Sequence, residues 1–236
     1  MATPYFKFKQ FTVYHDRCAM KVGTDGVLLG AWAPVDNVEK TLDVGTGTGL
    51  IALQLAQRNR EMKITAIDID SDAAMQAQEN ISRSPWADRV EVICCDFRNY
   101  APSERFNLIV SNPPYFVDAL KCPDKQRNTA RHTDTLSYDV LFFHAADLLC
   151  EHGIVSLIIP SEIEKTVREI AQNYHFYPVK CLRVVTKPGK PCRRVLLNFS
   201  LQQPDSCQEG TLCIEHEHHN YTPEYIALTK DFYLNM

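Results

Sequence analysis

Thr41-Leu42-Asp43-Val44-Gly45-Thr46-Gly47-Thr48-Gly49-Leu50-Ile51 decides the fold of this 236-residue chain. The run Thr41–Val44 is short, apolar and β-prone, which reads as a buried strand. Glycines at alternate positions then permit a tight turn and close approach of the backbone to a ligand. From Leu50 to Arg58, apolar residues at 50, 51, 53, 55 and 56 sit among good helix formers, so a helix follows the loop. Strand, glycine loop and helix together open an α/β unit.

The alternation continues outward from there. Lys63–Asp68, Val90–Cys95, Phe106–Ser111 and Ile154–Ile159 read as strands. Helices are expected from Asp72 to Ser82 with Ser71 as cap, from Ser137 to Cys150 with a stop at His152-Gly153, and from Glu162 to Tyr174. The stretches 179–186 and 194–201, joined by Pro188-Gly189-Lys190-Pro191, form a hairpin that closes the sheet with an antiparallel strand. The expected fold is therefore α/β: a Rossmann-like, open, mostly parallel sheet with helices on both faces and a C-terminal antiparallel hairpin. A single domain over residues 1–236 is expected, with 41–236 as core and 1–40 as an N-terminal extension. In that extension Phe6, Phe8, Phe11 and Val13 alternate with polar residues, as in an edge strand or hairpin, and Thr24 is a candidate cap for a helix through Leu29 and Trp32.

The strand Phe106–Ser111 runs into Asn112-Pro113-Pro114-Tyr115. A surface turn is the bland reading of such a segment. With the glycine loop upstream, the two segments resemble those of amino methyltransferases, which carry a methyl group from S-adenosylmethionine to a planar, conjugated nitrogen. The lone pair of such a nitrogen is delocalised, so the nitrogen is a poor nucleophile. Acceptors for its N–H groups draw the lone pair towards the methyl donor. Asn112 offers a side-chain carbonyl and Pro113 a main-chain carbonyl, and two prolines in a row hold both in one arrangement. Tyr115 offers a flat face for a base. Asn112, Pro113, Pro114 and Tyr115 are the candidate catalytic set.

An acid followed by Gly45-x-Gly47-x-Gly49 departs from the G-x-G-x-x-G spacing that serves a pyrophosphate, and suits a ligand with an ammonium group instead. Asp43 is expected near the cofactor's amino group, directly or through water. Asp68, 25 residues on, is expected at the ribose hydroxyls. Asp96 and Phe97 follow the third strand and suit the adenine amino group and ring edge. Thr24, Asp25 and Asn112 complete the candidate cofactor set. Each acid alone is equally a helix cap; together they mark S-adenosylmethionine, with S-adenosylhomocysteine as product. A nicotinamide dinucleotide would leave Asn112–Tyr115 without a role.

The segments Phe6–Phe11, Met20–Gly26 and Leu28–Trp32 are similar to the N-terminal signature of bacterial tRNA adenine-N6 methyltransferases, which act on adenine 37 in the anticodon loop of a valine tRNA. The likeness extends through Ala130-Arg131-His132, Arg193–Leu196, Tyr221–Tyr225 and Leu228–Leu234, nearly the whole chain. It implies tRNA as partner and adenine N6 as acceptor. Release-factor glutamine methyltransferases share the tetrapeptide but add a helical domain before the cofactor domain, for which 40 residues are too few. DNA adenine methyltransferases add a base-recognition domain. A non-catalytic RNA- or cofactor-binding module would show a degraded glycine loop or tetrapeptide, and both are intact.

Net charge is −4, yet its distribution is uneven. Residues 180–194 carry +6, while 1–21 and 121–131 carry +3 each, leaving −16 for the rest. That pattern suits a phosphate-facing rim on an acidic body. Lys7, Lys9, Lys125, Arg127, Arg131, Lys187, Lys190, Arg193 and Arg194 are the candidate RNA contacts. Nine cysteines without a Cys-x-x-Cys pair read as reduced thiols of a cytoplasmic protein. No apolar stretch approaches the ~20 residues of a membrane span. His216 and His218 share one strand face but have no convincing further ligands, so no metal is expected.

Overall fold

The computed structural model describes residues 3–18, 20–113, 136–217 and 220–236. Its centre is an eight-stranded sheet. In chain order the strands are β3 (Lys40–Val44), β4 (Lys63–Asp68), β5 (Val90–Cys94), β6 (Phe106–Ser111), β7 (Leu149–Pro160), β8 (Tyr177–Val185), β9 (Arg194–Ser200) and β10 (Gln208–Cys213). In space they run β10-β8-β9-β7-β6-β3-β4-β5. Every pairing is parallel except those of β9, which lies antiparallel between β7 and β8. The order reverses between β3 and β6: the chain steps outward through β4 and β5, then returns to the other side of β3. A crevice opens at the carboxyl ends of strands at such a reversal, where open α/β sheets bind ligands.

Both faces of the sheet are covered, and strand alternation sorts the side chains between two cores. Leu108, Val110, Ile158 and Leu196 join one cluster with α1 (Thr24–Trp32), α2 (Leu50–Arg58) and α3 (Ser71–Ser82). Ile109, Leu157, Ile159 and Leu197 join the other with α4 (Tyr138–Leu148) and α5 (Glu164–Asn173). Phe142 of α4 anchors that second core, 5.1 Å from Phe199 and 5.2 Å from Phe176 between ring centroids.

Several expected boundaries shift, each for a local reason. Asp70, not Ser71, caps α3; its carboxylate accepts from the amides of Asp72 and Ala73. Thr24 lies inside α1, whose N-cap is Gly23 without a side-chain bond. Ser137 does cap α4, but the helix ends at Leu148 and the chain passes directly into the 12-residue β7. Gly153 is no helix stop: a Cβ there would lie 2.5 Å from Leu149 Cγ, so glycine lets β7 fold tightly over its irregular register with β6. The hairpin β8–β9 forms as expected but does not close the sheet. β10 adds a further, parallel edge strand; its sequence is polar and only Leu212 is buried, so it lacks the apolar alternation that reveals a strand.

The N-terminal extension forms a hairpin, β1 (Tyr5–Lys7) with β2 (Thr12–Tyr14). Phe8 and Phe11 stack at 4.7 Å, and Phe11 meets Trp86 edge-on at 5.7 Å. Asn80, buried in α3, accepts from the Tyr14 amide at 2.9 Å and donates to the carbonyls of Tyr14 and Thr48 at 2.8 and 2.9 Å. One side chain thus ties the hairpin to the glycine loop. The chain ends in β11 (Glu215–Glu217), β12 (Asn220–Tyr221) and α6 (Pro223–Thr229), capped by Thr222. Among the described residues no helix is long and apolar enough to cross a membrane.

Asn80→Ala leaves three backbone groups without their partner, two of them partly buried and the Thr48 carbonyl fully so. It is expected to lower unfolding free energy by about 2–4 kcal/mol, measurable as a reduced urea midpoint with unchanged slope.

Candidate active site

The glycine loop leaves β3 at the reversal point. Gly45, Gly47 and Gly49 have φ of 71°, 55° and 79°, a left-handed conformation that L side chains rarely adopt. Alternating with them, Thr46 and Thr48 are buried. The amides of Gly45 and Thr46 both donate to the Ile67 carbonyl, at 2.9 and 3.0 Å, which ties the loop to β4. Across the crevice, Ser111 Oγ donates to the Val44 carbonyl at 2.8 Å and locks the ends of β3 and β6 together.

Two carboxylates complete the loop. Asp43 is fully buried; one oxygen accepts from Thr46 Oγ1 at 2.7 Å, and the other has no hydrogen-bond partner among the described residues. Burial pushes its carboxyl up to about 7, against which the Thr46 hydroxyl and the Ala52 amide work in the opposite direction. Asp68 stands half-buried at the end of β4, accepting from the amides of Gly47 and Asp70 at 2.8 and 3.0 Å.

A cavity of about 250 Å³ opens beside this loop, and Gly45, Gly47, Asp68, Asp96, Phe97 and Asn112 all contribute to its wall. A second, of about 340 Å³, lies on the other side, against Thr24, Asp25, Thr46 and Thr48. Asn112, with Gly45 and Gly47, borders both, so the first residue beyond β6 stands where the two meet. Pro113 lines the first cavity.

The structure therefore brings together Gly45, Gly47, Asp68, Asp96, Phe97, Asn112 and Pro113 at the first cavity, whereas Thr24 and Asp25, expected in the cofactor set, lie against the second. Gly49 caps α2 and faces Ala77 and Ile81 rather than either cavity. Asp43 also lies behind the walls; it shapes the loop from below. Pro114, Tyr115, Lys125, Arg127 and Arg131 fall outside the described residues.

Arg98 is a wall residue that spacing did not single out. Its Nε donates to both oxygens of Asp96, at 3.0 and 2.8 Å, and its terminal nitrogen also pairs with that carboxylate. The guanidinium holds the Asp96 carboxyl below the usual carboxylate range. Cys18 and Met20 also line the first cavity, from the segment after β2. Met20 opens the second segment of the N-terminal signature and Cys18 lies just before it, but neither was singled out as a site residue.

The basic candidates are mostly engaged within the protein. Lys9 Nζ donates to the carbonyls of Lys230 and Met236 at 2.6 and 3.0 Å. Arg194 Nε pairs with Asp25 at 2.7 Å, Lys187 with Glu215 at 3.6 Å and Arg193 with Glu162 at 4.0 Å. Lys7 and Lys190 are exposed and form no ion pair among the described residues. Among the described residues no group of three His, Cys, Asp or Glu could hold a metal ion; His218 falls outside them.

The first cavity suits the expected cofactor on its own chemistry. Asp68 retains lone pairs for a diol, Phe97 supplies an apolar ring, and the glycine backbone leaves room for close approach. A strand-order reversal with a glycine loop, flanking acids and an asparagine beyond β6 defines a class I methyltransferase. A sequence profile for the methyltransferase small domain matches residues 23–159, and the chain belongs to that family.

The chain is 53% identical to the tRNA1(Val) (adenine(37)-N6)-methyltransferase of Bacteroides fragilis and 54% identical to that of Phocaeicola vulgatus, over the full length of each pair. It is 45% identical to the enzyme of the same name from Pectobacterium carotovorum, over 98% of this chain and 94% of that one. Among solved structures, a predicted O-methyltransferase of Agrobacterium tumefaciens superposes with a TM-score of 0.70 at 18% identity, over 88% of this chain and 96% of that one. The ribosomal protein L11 methylase of Lactobacillus delbrueckii gives 0.53 at 19% identity, covering 74% and 76%. These structural likenesses establish the fold.

Asp68→Ala is expected to weaken cofactor binding by about 1.5–3 kcal/mol, more than about tenfold in Kd, as read by calorimetry. Undiminished affinity would remove Asp68 from the cofactor set.

Asp43 makes a pH-dependent contribution to stability. Its folded carboxyl titrates near 7 against an ordinary value of 3.8, so between those limits the folded chain keeps a proton that the unfolded chain has lost. Stability from this group is therefore full below about pH 4 and lost as pH rises through 7. Asp43→Asn is expected to gain on the parent across that window and level off above it, as read from urea midpoints at stepped pH.

Proposed function

We propose that this chain transfers a methyl group from S-adenosylmethionine to the exocyclic N6 of adenine in tRNA, with adenine 37 in the anticodon loop of a valine tRNA as the target. The observation that carries the reading is the position of Asn112, at the junction of a cavity suited to the cofactor and a second cavity open to an acceptor. The names borne by the full-length relatives support the acceptor.

S-adenosylmethionine supplies an electrophilic methyl carbon on a sulfonium centre, and the rest of the work falls to the protein. Asp68 accepts hydrogen bonds from the ribose hydroxyls, while Asp96 and Phe97 receive the adenine moiety. Asp43 acts through the loop, holding Thr46 so that the glycine backbone keeps its shape. Thr24 and Asp25 bound the acceptor side. The Asn112 carbonyl and the Pro113 main-chain carbonyl accept from the target amino group, turning its lone pair out of conjugation, and Pro114 stiffens the segment. Tyr115 stacks on the base. No strong base is needed, because the nitrogen becomes cationic on methylation and then sheds a proton readily. Alignment supplies most of the acceleration.

An unpaired loop base costs little to extrude, which suits an enzyme without a duplex-opening domain. In this reading Lys7, Lys9, Lys125, Arg127, Arg131, Lys187, Lys190, Arg193 and Arg194 face tRNA phosphates. The ion pair of Arg193 is largely exposed and therefore weak, so phosphate can replace its Glu162 partner, while Lys187 can meet phosphate without leaving Glu215. The work is done in the cytoplasm, where tRNA is modified.

Loss of the gene is expected to remove N6-methyladenosine from position 37 of the valine tRNA, as read by nucleoside mass spectrometry of the purified tRNA. Asn112→Ala is expected to cut turnover by more than about a hundredfold while cofactor affinity stays within about twofold, comparable to the loss of one transition-state hydrogen-bond partner. Methylation at the parent rate by this variant would overturn the assignment of Asn112.

A further inference from the structure

We propose that the groove between the N-terminal hairpin and the C-terminal segment binds an unpaired nucleotide of the same RNA, next to the one whose base enters the Asn112 site. The proposal rests on the RNA reading above and names a second contact for that substrate. The groove, about 780 Å³ in volume, is lined by Tyr5, Phe6, Lys7, Thr24, Tyr221 and Tyr233 among others.

Three observations point to a base rather than a protein segment. The wall is aromatic and its rings are braced. Phe6 lies 4.7 Å from Phe8, which is buried, and meets Tyr233 edge-on at 6.0 Å; Tyr221 lies 5.3 Å from the buried Tyr225. Yet Phe6 remains 36% exposed, and Tyr5, which leaves β1 on the opposite side and lies 5.6 Å from Tyr14, 43%, so part of each braced ring is open to solvent. Rings held in this way are a stacking platform, and every base has a face to offer them.

The charge at the rim is also suitable. Lys7 lines the groove and forms no ion pair among the described residues. The acid in the wall, Glu215, is answered by Lys187 at 3.6 Å. A phosphate entering beside the rings therefore meets a lysine that has no ion-pair partner among the described residues, while the Glu215 carboxylate is already neutralised.

Finally, the groove adjoins the second cavity of the site. Thr24 lines it and also lines the cavity that ends at Asn112. A strand with one base in that cavity would lead its neighbour towards the rings.

The test uses the full chain and a valine tRNA transcript. Combined Tyr5→Ala and Phe6→Ala is expected to raise KM for the transcript about tenfold, with kcat and cofactor Kd within about twofold of the parent. Phe6→Trp, made in the parent background, keeps a stacking face and is expected to leave KM near the parent value. Cross-linking of 4-thiouridine-substituted transcripts to the parent is expected to label residues 5–7, which guards against a variant that merely loosens the hairpin. If the parent methylates the transcript but KM is unchanged in the double variant, or cross-links avoid residues 5–7, the groove is not a nucleotide site and the proposed activity stands. If the parent transfers no methyl group to the transcript, the RNA reading falls and takes this proposal with it.

Discussion

The glycine loop is gripped by two carboxylates from adjacent strands. Asp43 holds Thr46 from beneath, inside the sheet, and Asp68 holds the Gly47 amide from the side, at the cavity wall. Three left-handed glycines give the backbone the curvature between those grips. The arrangement separates two duties that fall on acids in such a site. The buried acid keeps the loop in shape, and the half-exposed one retains capacity for a ligand. The cost is visible in Asp43, whose carboxyl resists ionisation because no water reaches it.

The segments around the sheet are also tied to one another by polar contacts. Asn80 joins the N-terminal hairpin to the glycine loop. The Lys9 amide and amine reach the carbonyls of Phe232, Lys230 and Met236. Arg194, at the start of β9, crosses to Asp25 of α1. Elements far apart in sequence are thus tied together, and through Asp25 the Arg194 contact reaches the wall of the second cavity.

Most of the fold was legible because parallel strands buried on both faces announce themselves as apolar runs, as Leu108-Ile109-Val110 does. β10 was not, because an edge strand of Gln, Glu, Gly and Thr has little apolar surface to place. The end of α4 was misjudged because Gly153 punctuates equally well in a helix or in a bulged strand, and only its contact with Leu149 distinguishes them. At the site, the glycine loop was legible from spacing along the chain, and Asn112 from the resemblance of its segment to amino methyltransferases; the cavity walls hold both. The engagement of Arg194 by Asp25 was not, since the partners lie 169 residues apart and a charge count cannot see them. Arg98 escaped for a simpler reason: an arginine two residues after an acid looks like any solvated pair until its guanidinium closes on that acid beside a cavity.

The place of β9 has a consequence for how the protein is made. β7 leaves the ribosome before β8, and β8 before β9, yet β9 is the strand that lies between them. Until residues 194–200 emerge, β7 presents the unpaired backbone of Ile154–Pro160 along an edge whose side chains are almost all apolar. Such an edge invites pairing with another nascent chain. The half-built sheet is thus most exposed to aggregation in the interval between synthesis of β7 and arrival of β9, and a pause in translation there would lengthen the hazard.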